Sequence, residues 1–380
     1  MIARVWSRRR AAPRGRVDLG RAPDPSCHGH LAPPRAADPS AADTRARHAV
    51  GHHERLGAYT VDLRDQPPDV FRDVSATDWG ALRWAKVRRP YTVERWSEDK
   101  LAWERENGQP MPVLEGWKRF NANFHALFAT DVPAAQARAR DELRVALGGL
   151  DVAGAREAVG ELVQLAVWNK VHRVEDAVWD PRGKRALFEG LGLKRPKILF
   201  LGSAEGYEAL QLAAMYPGGH VTMVDYDPFC RDVRFGEFPA AYPFLGADAA
   251  TGHRRVWYKD ELRVDFEVKD IRDLDYGPVF DVVLSVGLVE HFPDAYKPLA
   301  FDFHRRFVRP GGWVLMTTPR DQPRSRAYYH LMRDRLNFGY RELMDVWQMG
   351  LYAHENGLDV RRAGVIKAHN GLVCQVRRAA

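Results

Sequence analysis

The stretch Lys197–Asp227, KILFLGSAEGYEALQLAAMYPGGHVTMVDYD, constrains the fold more than any other part of this 380-residue chain. The apolar run Ile198 to Leu201 reads as a buried strand, and Gly202-Ser203-Ala204-Glu205-Gly206 as a tight turn. A helix follows, then a second apolar strand, Val221 to Val224, that stops on Asp225. A strand that turns sharply into a helix leaves unpaired amide N–H groups at the helix start, and small side chains there let a ligand approach them. An acidic side chain at the tip of the next strand can accept hydrogen bonds from both hydroxyls of a ribose. The expectation is a βαβ unit that holds a nucleoside.

The rest of the C-terminal half continues the pattern. Further strands are expected at Val264 to Val268, Phe280 to Ser285 and Trp313 to Thr317, with helical patterns such as Ala295 to Val308 and Tyr340 to Glu355. A last pair, Asp359 to Lys367 and Leu372 to Arg377, is joined through His369-Asn370-Gly371, and Asn-Gly is a strong tight-turn signal. This order predicts an α/β fold: a doubly wound, mainly parallel seven-strand sheet with an antiparallel C-terminal hairpin, preceded by a helical N-terminal domain. The connection from Asp227 to Val264 is longer than a crossover needs and predicts an insertion. Its Phe229, Phe235, Phe238, Tyr242, Phe244, His253, Trp257 and Tyr258 read, as a group, as lining of a roomy acceptor site.

Upstream the texture is helical. Val159, Leu162, Val163, Ala166, Val167, Val171, Val174 and Val178 recur at helical spacing and predict one long helix ended by Asp180-Pro181. Seven of the eleven tryptophans lie in this region (Trp79, Trp84, Trp96, Trp103, Trp117, Trp168 and Trp179), either packing helices together or lining a pocket. Residues 1–61 are rich in Arg, Ala and Pro without periodicity, which predicts a disordered tail. The expected domains are therefore 1–61, a helical 62–190 and a nucleoside-binding 191–380.

Charge supports no large nucleic-acid surface on the body. The net charge is +7, but residues 1–54 hold ten arginines against five acidic residues, leaving only +2 for the remainder. The tail reads as a solvated segment or misassigned start, as an arm for anionic surfaces, or as a targeting peptide. Deleting residues 1–55 is expected to leave activity intact. The three scattered cysteines and the lack of an 18-residue apolar run predict a reducing, cytoplasmic setting without a membrane span. No metal site is expected: the close pairs His28/His30 and His52/His53 lack further ligands.

A dinucleotide fingerprint needs a third glycine where Tyr207 stands, so a dehydrogenase is the least supported reading. The spacing Gly202-x-Ala204-x-Gly206 resembles instead the first motif of class I S-adenosylmethionine-dependent methyltransferases. The resemblance extends to Asp225-Tyr226 in MVDYDP, Asp270-Ile271 in VKDIRDL, FDVVLSVGLVEHFPD over residues 280–294, and Arg309-Pro310-Gly311-Gly312 before Trp313. It implies S-adenosylmethionine as cofactor, held by Gly202, Ser203, Ala204, Glu205 and Gly206. It further implies Asp225 for the ribose, Tyr226 as a face for the adenine, Asp270 for its amino group, and Ile271, Ser285 and Val286 as further cofactor-binding residues. Two departures are present. Phe200 stands where the family often carries an acid for the methionine ammonium, and Ala204 replaces the middle glycine.

Transfer from a sulfonium needs alignment above all, and a base only if the acceptor must lose a proton. His291 is the candidate base, although the Glu290-His291 pair is also read as a structural element beside the cofactor. Tyr328, Tyr329 and His330, just after the fifth strand, are candidate acceptor-binding residues. The leading functional expectation is a methyltransferase of a small-molecule O, N or C acceptor, with nucleic acid disfavoured. Two alternatives stay open: an RNA or protein methyltransferase that uses the basic tail, and a non-catalytic cofactor-binding regulatory protein.

Overall fold

Eight strands pair into one sheet in the order β1-β7-β8-β6-β5-β2-β3-β4. They are β1 (Phe71–Asp73), β2 (Lys197–Leu201), β3 (His220–Asp225), β4 (Arg263–Val268), β5 (Phe280–Val286), β6 (Val308–Pro319), β7 (Leu358–Ile366) and β8 (His369–Val376). The computed structural model describes residues 53–56, 59–62, 71–172, 181–366 and 368–376, all within the compact unit Val50–Ala380. β6, β5, β2, β3 and β4 run parallel, β8 is antiparallel to β6, and β7 is antiparallel to β8. The expected seven strands are all present. The eighth, β1, pairs antiparallel to β7 from the N-terminal side of the chain, and no local pattern marks it.

The central strands β2, β3 and β5 are nearly continuous apolar runs, so the middle of the sheet is buried on both faces. Leu199, Leu201 and Val283 face one layer with Phe301, Phe303, Met349 and Tyr352, supplied by helices α7 (Lys297–Arg305) and α10 (Val346–Glu355). Ile198, Phe200, Val282 and Leu284 face the other with Leu187, Phe188, Leu212 and Ala213 from α5 (Pro181–Phe188) and α6 (Tyr207–Met215). Helices on both faces of a mainly parallel sheet are the doubly wound arrangement. The direction of winding reverses beside β2, which opens a crevice at the carboxyl ends of β2 and β5.

The N-terminal half supplies α1 (Glu98–Asn107), α2 (Val113–Phe128), α3 (Val132–Gly148) and α4 (Val152–His172). The described part of the long valine-rich helix ends at His172. Val174, Val178, Trp179 and Asp180 lie outside the described residues, and Pro181 opens α5. The tryptophans divide between roles. Trp79 and Trp84 pack on Trp347 and Tyr352 of α10, whereas Trp168 packs on Phe124 and Phe128 of α2.

Several expectations are corrected. Most of the N-terminal tail, residues 1–52, lies outside the described residues, but its last part is not structureless. His53–Leu56 pairs with Tyr59–Asp62, and Tyr59 meets the Tyr242 ring edge-on at 5.0 Å. The C-terminal hairpin does not turn at Asn370-Gly371. Its innermost pair is Ile366 with His369, so both residues lie inside β8. Tertiary packing overrides the local turn signal: Asn370 donates from Nδ2 to the Met344 carbonyl at 2.5 Å, and a Cβ on Gly371 would sit 2.7 Å from the Phe71 ring. Arg309-Pro310-Gly311-Gly312 is a bulge inside β6, between Val308 paired with Phe280 and Trp313 paired with Val282. The expected helix Tyr340 to Glu355 begins only at Val346, because Glu342–Leu343 pairs as a short strand with Tyr91–Thr92.

Candidate functional site

The turn after β2 is built on left-handed backbone. Gly202, Ala204 and Gly206 have φ of +64°, +47° and +79°. Glycine adopts this region freely, whereas the Cβ of Ala204 strains it by about 1–2 kcal/mol. The strain is offset by bonds that fix the turn. Ser203 N donates to Val224 O at 3.1 Å, Gly206 N to Ser203 O at 2.7 Å, and Ala204 N to Asp225 Oδ2 at 3.1 Å. Gly206 then caps α6, with Tyr207 as its first residue, packed against Tyr242 and Phe244. Tyr207 is therefore buried in the protein's own core.

Asp225, at the tip of β3, is 8% exposed and also accepts from Asp227 N at 3.2 Å. Burial pushes its carboxyl pKa up, and the two backbone donors oppose that shift. Ser203 is buried and its hydroxyl has no hydrogen-bond partner. An orphaned hydroxyl in a left-handed cradle beside a strand-tip carboxylate is what a polar nucleoside ligand would satisfy. The set Gly202 to Gly206 with Asp225 thus fits a ribose and methionine-bearing cofactor.

Asp270 and Ile271 follow β4. The Asp270 carboxylate is gripped by Arg272, with Nη2 to Oδ2 at 2.6 Å and Nε to Oδ1 at 3.0 Å, and that pairing holds its pKa below the usual range. Ile271 packs half-buried on the sheet core. Tyr226 donates from Oη to the Leu114 carbonyl of α2 at 3.1 Å, so its ring is fixed from the N-terminal half. The side chain of Ser285 does not reach the crevice. It points to the α7 layer, where Oγ lies 2.7 Å from His304 Nε2, leaving only its backbone on the cofactor side. Val286 packs half-buried against the opposite layer.

A second set of polar residues, absent from the sequence reading, binds this turn to α2. Arg234, on the π-helical turn Cys230–Phe235, forms an ion pair with Glu205 and donates from Nη1 to Asn121 Oδ1 at 2.9 Å. Asn121 in turn donates to Asp227 Oδ2 at 2.9 Å, and the Arg234 guanidinium lies over the Phe124 ring at 4.9 Å. Glu205 is thereby committed to Arg234 and does not stand in for the acid missing at Phe200. Phe200 itself is buried in the sheet core.

His291 sits in the loop after β5 under α2. Its side chain is 8% exposed and meets the Trp117 ring edge-on at 4.2 Å. Nδ1 lies 2.7 Å from the Tyr340 carbonyl, which can only accept, so Nδ1 carries the proton and Nε2 the lone pair. Burial, and then the positive charge of Arg341, hold its pKa well below the usual histidine value, so the ring is neutral at neutral pH. Glu290 is fully buried with no hydrogen-bond partner on either oxygen, and its carboxyl is pushed up to about 7 by burial. The 3.6 Å between Glu290 Oε1 and His291 Nε2 is too long for a hydrogen bond. Besides Tyr340, the ring's other backbone partner is Gly287.

The loop is held by a buried ion pair. Lys297 Nζ pairs with Glu342 Oε2 at 2.6 Å and also donates to the carbonyls of Val289 and Phe292. This ties residues 289–292 to the segment that carries Tyr340 and Arg341. Helix α8 (Pro323–Leu331), followed by the short α9 (Arg333–Leu336), brings Tyr328 and Tyr329 to the same region, where Tyr329 Oη accepts from Arg341 Nη1 at 3.1 Å. His330 is exposed and does not join them. The insertion aromatics also fall elsewhere. Tyr242, Phe244 and Trp257, with Phe235 and Phe238, form a separate small core against α6, built on the hairpin Phe244–Ala247 with Arg254–Trp257. Phe238, Tyr242 and Phe244 pack ring against ring there, and Phe235 meets the Phe266 ring.

A nucleoside cradle at the reversal point of a doubly wound sheet, with a neutral histidine in the loop after the neighbouring strand, defines a class I methyltransferase architecture. The chain belongs to the methyltransferase domain family, whose model matches residues 172–363, and with it to the S-adenosylmethionine-dependent methyltransferases. No curated protein matches the chain. Solved structures similar to it include an O-methyltransferase family protein from Burkholderia thailandensis, at 20% identity and TM-score 0.39, over 60% of this chain and 61% of that one. Human N-acetylserotonin methyltransferase is similar at 14% identity and TM-score 0.38, over 59% of this chain and 56% of that one. The chain thus spans under two thirds of the length of both. No helix among the described residues is long and apolar enough to cross a membrane.

Proposed function

We propose that this protein transfers the methyl group of S-adenosylmethionine to a small-molecule acceptor, with His291 as the base where the acceptor carries a proton. The observation that carries this reading is the state of His291: neutral, its Nδ1 proton fixed on Tyr340 O, its Nε2 unbonded to the Glu290 carboxyl, and its ring walled by Trp117. The cofactor supplies the electrophilic methyl carbon. The chain's own work is to hold it at Gly202 to Gly206 and Asp225, and to align the acceptor along the sulfur–methyl axis. Tyr226, Asp270 and Ile271 would border the adenine, and Tyr328 and Tyr329 the acceptor; His330 has no part in this reading.

A small acceptor is favoured over a polymer because the base is nearly closed off. Trp117, Phe120, Tyr328 and Tyr329 enclose the region with aromatic surface, which suits a compact, partly apolar molecule. The test is incubation of the full chain with S-adenosylmethionine labelled in the methyl group and a small-molecule cell extract, followed by mass spectrometry. Label in a product under about 1 kDa, absent with His291→Ala, supports the reading. Label only in RNA or protein, or no label while cofactor binds, overturns it.

A further inference from the structure

Arg341 is buried, 6% exposed, and yet meets no carboxylate within ion-pair distance among the described residues. Its hydrogen-bond partner is a neutral phenol, Tyr329 Oη, and its guanidinium lies over the Tyr329 ring at 4.6 Å and the Phe120 ring at 5.5 Å. The other buried cations of this region are paired: Lys297 with Glu342 and Arg234 with Glu205. A buried cation without an anion is costly, and ring faces and one hydroxyl compensate only part of the loss of water.

Neighbouring acids do not supply the missing charge. Glu290 is the carboxyl group whose field reaches Arg341, but it makes no bond to it, and burial keeps its proton on to about pH 7. Glu342 is committed to Lys297. The position of Arg341 is also fixed, since its carbonyl accepts from Val93 N at 2.9 Å and the next residue is held by the buried ion pair.

The same guanidinium is one aromatic wall away from the base. Arg341 lies over Phe120, Phe120 meets Trp117 edge-on at 5.3 Å, and Trp117 meets His291 at 4.2 Å. A planar fork of donors in an aromatic enclosure matches a carboxylate bidentately and an aromatic or unsaturated body by stacking.

We propose that the acceptor is a small aromatic or unsaturated acid, and that Arg341 binds its carboxylate while the methyl-accepting atom faces His291. This rests on the methyltransferase reading above and adds the substrate class. In this account Arg341 is an acceptor-binding residue, and the enclosed guanidinium rejects the neutral analogue of its ligand because a buried charge would stay unpaired.

The experiment is calorimetric titration of the full chain, saturated with S-adenosylhomocysteine, with benzoate, 4-hydroxybenzoate, 4-hydroxycinnamate and indole-3-carboxylate, and with the primary amide of each. At least one acid is expected to bind ten-fold or more tightly than its amide, and Arg341→Gln is expected to abolish that preference. Arg341→Lys, which keeps the charge but not the fork, is expected to lower the preference at least threefold and serves if the glutamine variant fails to fold. Amides binding as well as acids, no acid binding, or a preference that survives both variants would overturn the proposal. Titration with S-adenosylhomocysteine alone separates the two levels. Wild type that binds it but shows no acid preference loses only the substrate class, whereas wild type that does not bind it loses the methyltransferase reading.

Discussion

Asn121 of α2 donates a 2.9 Å hydrogen bond to Asp227, two residues past the acidic tip of β3 and 106 positions away in the chain. Through the same amide it holds Arg234, which in turn holds Glu205 in the cofactor turn. The N-terminal helices are thereby wired to the nucleoside site and do more than cover it.

Breaking that link is expected to weaken the site from a distance. Asn121→Ala leaves buried groups of Arg234 and Asp227 short of a partner, a loss of about 1–3 kcal/mol. S-adenosylhomocysteine affinity should fall about tenfold, as 1.4 kcal/mol predicts, with a lower melting temperature. Unchanged affinity in calorimetry would show that the network is structural only.

Glu290 makes stability depend on pH with a definite sign. Its folded pKa, about 7, lies above the ordinary 4.5, so the folded state gains stability from the bound proton. That contribution is full below pH 4.5 and is lost as pH rises through 7, a swing of about 3 kcal/mol. His291 acts in the opposite sense, because its depressed pKa costs stability as pH falls below 6.5. Comparing Glu290→Gln with wild type isolates the first effect. By denaturant unfolding, the variant should gain on wild type between pH 5 and pH 8, and a difference that does not change with pH contradicts the assignment.

Removal of the candidate base should separate turnover from binding. His291→Ala is expected to lower kcat about a hundredfold or more for an acceptor that must lose a proton, with S-adenosylhomocysteine affinity within a few-fold of wild type. Turnover within a few-fold of wild type would reduce His291 to a structural role.

Gly371 tests the correction to the C-terminal hairpin. Gly371→Ala places a methyl group 2.7 Å from the Phe71 ring and should destabilise by about 1–3 kcal/mol. The same substitution in a free Asn-Gly turn would act through turn geometry alone, so a compensating Phe71→Leu change should restore stability only if the close packing is real.

The parts of the fold that were legible in sequence are those set by local pattern. The apolar runs of β2 to β8, the turn at Gly202 to Gly206 and the tip at Asp225 each carry their signal within a few residues. The parts that were not legible are made by distant pairings. β1 is three residues long and finds β7 across the chain, and Asn370-Gly371 reads as a turn until Met344 and Phe71 are placed against it. The same division runs through the site. Gly202, Ser203, Asp225 and His291 were marked by motif order and Trp117 only as one of seven tryptophans, whereas Asn121, Arg234 and Arg341 sit on unremarkable segments and acquire meaning only by meeting. Ser285 was placed on the correct strand end, but strand alternation turned its side chain to His304.

The central claim, a cofactor site at Gly202 to Gly206 and Asp225, is tested most directly by calorimetric titration of wild type and Asp225→Ala with S-adenosylhomocysteine. The account predicts one site per chain in wild type and at least tenfold weaker binding in the variant, with the fold retained. Absence of binding by wild type, or equal binding by the two proteins, would contradict it.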